Sequence, residues 1–164
     1  MSTISAGAVA PKFALGGMSG QSYSLSDALK KGPVLAAFYK ISCPVCQFTF
    51  PFLERIYEAY ADSNITFWGI SQDEVSGTRE FMNEFGIKFP MLIDANGYKT
   101  SKQYGLTNVP SIFLIQPDGK VQTASVGFNK RDLEKLSTEL SKISGKPAHP
   151  VFLPGEKVPE YRPG

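Results

Sequence analysis

Gly32-Pro33 introduces the unbroken apolar run Val34-Leu35-Ala36-Ala37-Phe38-Tyr39, and Cys43-Pro44-Val45-Cys46 follows almost at once. This junction constrains the chain more than any other stretch. A short, continuous apolar run bounded by turn residues predicts a buried strand. Val45, Phe48, Phe52, Ile56 and Tyr60 then recur every three or four positions, which predicts a helix. Pro44 falls in its first turn, where a missing N–H costs nothing and a fixed φ suits a helix start. The only two cysteines of the chain therefore stand at i and i+3 where a strand gives way to a helix.

Side chains three apart on a helix lie about 5–6 Å apart at Cβ, within reach of a disulfide after a small adjustment. Unpaired N–H groups and the positive end of the helix dipole favour an anion there. Cys43, at the helix mouth, is the candidate attacking thiol, and Cys46, one turn in, the candidate resolving thiol. Lys40 is either an added cation or a solvated lysine closing a strand. Zinc needs four ligands, and two cysteines with one distant histidine, His149, do not supply them, so no metal is expected. A structural disulfide closing so short a loop would constrain the unfolded chain little. Two inert cysteines are the remaining alternative. The strand–CxxC–helix context favours thiol exchange over it.

The chain has 164 residues, 42% apolar and 20% charged, which suits one globular domain with a sizeable core. A net charge of +2 without a Lys/Arg cluster gives no case for nucleic acid, and no apolar stretch approaches a membrane span of ~20 residues. Met1 to Gly7 shows neither a basic segment nor a long apolar core. The expectation is a cytoplasmic protein, monomer or weak dimer, in which a CxxC pair is catalytic; a trimmed leader would leave the same start.

Along the chain, Pro11–Leu15 and Gln21–Leu25 are expected to pair as an N-terminal hairpin across glycine-rich turns. Ser26-Asp27 is expected to cap a brief helix through Lys31. Pro51 should bend the long helix, since it removes a backbone bond and crowds the preceding turn. Ile65–Ser71 predicts a second buried strand with Trp68 as core, and Ser76–Phe85 a helix stopped by Gly86. A parallel strand pair with a right-handed crossover follows from that order. Phe89–Asp94 is a brief extended piece and Tyr98–Tyr104 a short helix. Ser111–Gln116 and Val121–Val126 flank Pro117-Asp118-Gly119-Lys120, a hairpin signal. Asn129–Asp132 caps a last helix with Leu133, Leu136, Leu140 and Ile143 on one face. Residues 1–144 form the expected domain. Residues 145–164, with five prolines, form a tail without regular structure, either frayed or docked through Val151-Phe152-Leu153 on the body or on a second subunit.

Taken together, Cys43-Pro44-Val45-Cys46, Pro51 five residues later and Val109-Pro110 before an apolar strand resemble the thioredoxin superfamily. The N-terminal hairpin, Ile70-Ser71-Gln72-Asp73, Phe85–Pro90 and Tyr104–Ile115 narrow the resemblance. They look like the TlpA/ResA-like and alkyl hydroperoxide reductase/thiol-specific antioxidant (redoxin) branch, over roughly Pro11 to Ile143. The resemblance implies an α/β thioredoxin-like fold, a central mixed sheet flanked by helices with an added N-terminal β-hairpin. It also implies that Pro110 is a cis-proline facing the thiols, and that the backbone at Val109 binds an extended partner. Pro44 and Val45 are the further substrate-contact candidates.

Three positions depart from that pattern. Ser42 replaces the tryptophan before the first cysteine, Ala37 the buried acid of thioredoxins, and Thr49 a glutamate frequent in TlpA-like proteins. Proton handling for Cys46 is thus unassigned, with water or a lysine as substitutes. The expected function is thiol-disulfide exchange with protein or small-molecule disulfides and an upstream reductant, without a cofactor. A peroxiredoxin-like peroxidase is the alternative, although neither Lys40 and Ala36 before Cys43 nor Cys43 and Tyr39 before Cys46 match the Thr/Ser and Pro it requires. A copper or redox-gated binding module is weaker still, because no histidine lies near the cysteines.

Overall fold

The computed structural model describes residues 3–164. Its elements in chain order are β1 (Ala14–Gly17), β2 (Ser22–Ser24), α1 (Leu25–Leu29), β3 (Val34–Tyr39), α2 (Pro44–Tyr60), β4 (Thr66–Ser71) and α3 (Val75–Phe85). Then follow β5 (Met91–Ile93), α4 (Lys99–Gln103), β6 (Ser111–Ile115), β7 (Val121–Val126), β8 (Phe128–Asn129), α5 (Lys130–Ser144) and β9 (Tyr161–Arg162).

Seven strands make one mixed sheet in the order β2-β1-β5-β4-β3-β6-β7. β3 pairs in parallel with β4 and antiparallel with β6, so the unbroken apolar run lies in the middle of the sheet. Every residue from Val34 to Tyr39 is buried, because helices or loops cover both faces. Leu35, Ala37 and Tyr39 point to one side, where they meet apolar residues of α2, α3 and α5. Val34, Ala36 and Phe38 point to the other, against Phe13, Leu25, Ala28, Trp68 and Tyr104. Trp68 is core, edge-on to Phe13 at 5.8 Å. The period of two along a strand splits this core into its two halves.

The hairpin and the mixed sheet flanked by helices stand as the sequence implied, with local shifts. β1 begins later than expected and ends in the glycine pair, because it must also reach β5, pairing Gly16 with Ile93 and Gly17 with Leu92, and β2 is trimmed to Ser22–Ser24. Ser24, not Ser26-Asp27, caps α1: its hydroxyl accepts the Asp27 N–H at 3.1 Å. Ile143 leaves the apolar face of α5 and is 40% exposed, since the helix has run past the core by its last turn.

The proline-rich segment is neither frayed nor wholly irregular. Val151 is buried, and the Phe152 ring packs on Phe52 at 4.9 Å, whereas Leu153 is half exposed. Arg55 grips the segment with both guanidinium nitrogens on Glu156 at 2.7 Å and a third bond to the Val151 carbonyl. That fork, with the Leu153 N–H, holds the exposed Glu156 carboxyl down at about 2. Further on, β9 pairs antiparallel with β8, Phe128 opposite Arg162 and Asn129 opposite Tyr161.

Candidate redox site

Cys43 is the N-cap of α2 and Pro44 its first helical residue. The extended backbone at Cys43 turns its side chain back over the first turn, so the sulfur takes the place of a capping oxygen. It accepts the Cys46 N–H at 3.2 Å. The Cys43 thiol in turn donates to the Val109 carbonyl at 3.5 Å. The Val109–Pro110 peptide is cis, and Pro110 leads directly into β6. Two segments 66 residues apart thereby face each other across one sulfur.

The turn between β3 and the cysteines is held from outside the motif. Asp73, just after β4, accepts the Ile41 N–H at 2.8 Å, and the Gln47 side chain donates to the Ile41 carbonyl at 2.9 Å. The Cys43 N–H bonds to the Lys40 carbonyl at 3.1 Å. Asp73 closes the Ile70-Ser71-Gln72-Asp73 stretch, but nothing in its sequence context assigns it this role.

The two thiols are free and differ in surroundings. Cys43 is half-buried, whereas Cys46 is fully buried beneath it. Burial pushes the Cys46 thiol well up from the ordinary cysteine value. Its hydrogen bond with Cys43 adds to the rise, the Lys40 backbone opposes it, and the Cys43 and Asp73 charges act in the same upward direction. Ala37 contributes only a methyl group beneath the site, and the buried Thr49 hydroxyl is engaged with the Val45 carbonyl at 2.6 Å. Tyr39 also lies under Cys46, its hydroxyl donating to the Met91 sulfur at 3.2 Å, and burial raises its pKa strongly. Neither Ala37 nor Thr49 thus supplies a proton acceptor for Cys46.

An open groove of about 360 Å³ runs over Cys43, flanked by Lys40, Gln72, Asn108, Val109 and Gly164. Pro44, next to Cys43 in the chain, is exposed. Val45 differs from the expectation: its side chain packs into the core, as an N2 position facing the sheet must, and is not available to a partner. The His149 side chain is exposed in the tail, while its backbone exchanges hydrogen bonds with the Tyr60 hydroxyl. Gln72, Asn108 and Gly164 were not singled out from the sequence, because only the fold brings them to the groove.

A mixed sheet with two free thiols at a central helix start, opposite a cis-proline loop, defines a thioredoxin-fold dithiol protein. The chain belongs to the AhpC/TSA family, whose match spans residues 6–124. It is 32% identical over 139 residues to the thiol-disulfide oxidoreductase ResA of Bacillus thuringiensis, covering 84% of this chain and 78% of that protein. Among solved structures, it resembles a thiol:disulfide interchange protein from Bacteroides sp. with a TM-score of 0.72 and 26% identity, covering 88% of this chain and 93% of the other. The peroxidoxin BcpB of Mycobacterium tuberculosis shares the fold, with a TM-score of 0.69 at 23% identity over 87% and 97% of the two chains. No helix among the described residues is long and apolar enough to cross a membrane.

Proposed function

We propose that the protein is a thiol-disulfide oxidoreductase in which Cys43 exchanges with the partner and Cys46 resolves. One observation carries this reading: a half-buried sulfur capping a helix, with a fully buried second thiol directly behind it. Cys43, as thiolate, attacks one sulfur of a substrate disulfide. A Cys43–substrate disulfide forms, the substrate S–S bond breaks, and the other half leaves as a thiolate. Cys46 then loses its proton to solvent and attacks the Cys43 sulfur. This forms the Cys43–Cys46 disulfide and releases the second substrate thiolate. Two electrons have moved from the protein dithiol to the substrate, and an upstream dithiol returns them. Family membership and the ResA relatives support the same chemistry.

The dithiothreitol-dependent reduction of a dye disulfide tests the assignment. Cys43→Ser should abolish it, whereas Cys46→Ser should accumulate mixed disulfides at Cys43. Full activity of Cys43→Ser would overturn the roles. Peroxidase chemistry, which family membership also brings forward, is tested by stopped-flow mixing of the reduced protein with hydrogen peroxide; peroxiredoxin-like oxidation rates would reverse the ranking. The groove is lined by residues of a single chain, in keeping with a monomer or weak dimer. Fractionation with thiol trapping tests the cytoplasmic setting anticipated above: recovery outside the cytoplasm replaces that setting and leaves the chemistry as it stands.

A further inference from the structure

The segment beyond β9 runs to the groove over Cys43, which Gly164 helps to line. From Glu160 onward it is fastened in sequence: the Lys130 N–H donates to the Glu160 carbonyl at 3.0 Å, β8 and β9 pair, and the Arg162 guanidinium lies 5.1 Å over the Phe48 ring. Gly127, at φ +75°, permits the crossing, since a Cβ there would stand 2.5 Å from the Arg162 carbonyl oxygen. The Gly127 N–H meanwhile bonds to the Pro110 carbonyl, so strap and proline loop share one support. At the far end the Asn108 side chain donates to the Gly164 carbonyl at 2.9 Å. Gly164 lies so close to the proline loop that a Cβ on it would sit 2.1 Å from the Val109 carbonyl oxygen and 2.8 Å from its carbon.

A polypeptide disulfide can offer its sulfur to Cys43 only by laying its own backbone across the groove. The backbone edge nearest that sulfur is Val109, and an extended peptide gains affinity by pairing with such an edge. Here the outward approach to the Val109 carbonyl and the Asn108 side chain is already taken by the backbone of Gly164. What stays open over Cys43 is the groove of about 360 Å³, at the small end of the roughly 300–1,000 Å³ typical of small-molecule sites.

We propose that residues 160–164 are a specificity element that blocks strand-like pairing at Val109 and directs Cys43 toward compact, low-molecular-weight disulfides rather than extended polypeptide ones. The inference rests on the exchange reading of the site. Gly164 is the determining position, because no larger residue allows the strap to lie on Val109.

The test compares reduction of a small aromatic dye disulfide with reduction of the insulin disulfides, using the full chain, a deletion of residues 160–164, and Gly164→Ala. The alanine lies on exposed backbone outside the core and should lift the strap without unfolding the domain. Both variants should keep the dye rate and raise the insulin-to-dye ratio about fivefold, the effect of one regained backbone hydrogen bond. An unchanged or lowered ratio in Gly164→Ala overturns the proposal, even if the deletion fails to fold. Loss of dye reduction by the unaltered chain would instead sink the exchange reading, so the two failures are separable.

Discussion

The resolving step should be limited by the proton on Cys46, and its pH dependence is the sharpest consequence of the site. An ordinary cysteine at about 8.5 is only ~3% thiolate at pH 7. Cys46 is fully buried, and burial, the largest cause of its shift, pushes it well above that value. The Cys43 hydrogen bond is lost once Cys43 is in a mixed disulfide, but the burial remains. The rate of Cys46 attack should therefore rise tenfold for each pH unit from pH 6 to beyond pH 9, with no plateau in between. A free dithiol measured in parallel bends near its own, lower value. The assay is stopped-flow release of a chromophoric thiol from a symmetric dye disulfide: the first equivalent reports Cys43 attack and the second reports resolution. Cys46→Ser should release the first equivalent only. A second phase that levels off below pH 8 would refute the reasoning, because it would mean that a protein base, with Asp73 the carboxylate whose charge acts on Cys46, takes the proton.

Stability should carry the same signature. Cys46, Tyr39 and Tyr104 are all held protonated by burial, so their contribution is complete below their unfolded values and is lost as pH rises past them. Urea midpoints of the reduced protein should fall above about pH 9, with up to ~1.4 kcal/mol per pH unit from Cys46, more steeply above about pH 10, and Cys46→Ala should remove the earlier part of the fall. Glu54, buried with its carboxylate accepting the Lys88 N–H at 2.8 Å, is raised by burial and by neighbouring Glu58, against the opposing Lys88 and Phe89 N–H groups. Its share of stability is present below its ordinary value and lost as pH rises, so Glu54→Gln should flatten the urea-midpoint profile as pH rises above 4.5; an unchanged slope there counts against the assignment. Phe128, fully buried between Phe48, Phe52 and Phe152, is the joint between sheet, α2 and tail. Phe128→Ala should cost about 3–5 kcal/mol in thermal or urea unfolding and loosen the tail, read as faster amide exchange over 150–162; a loss below about 1 kcal/mol would show that the tail packs independently.

Much of this was legible because it depends on near neighbours in the chain. The Val34–Tyr39 run, the proline at the first turn of α2, the i, i+3 thiols and the Asp118-Gly119 turn each encode geometry within a few residues. Local pattern also marked the helix of Leu133, Leu136 and Leu140, but not the point where it outruns the core at Ile143. Val45 shows the same limit: a position beside a reactive cysteine can face the sheet, and only the packed helix settles which way.

The amino-acid sequence alone determined that a buried strand delivers two sulfurs to a helix start, since periodicity, capping and proline stereochemistry act locally. Only the tertiary structure decided that Cys46 is wholly enclosed, that Asp73 steadies the turn before the thiols, and that Gly164 lies against Val109. These are contacts between residues 32 to 66 positions apart, and chain connectivity sets no such distance until the sheet has closed around its core.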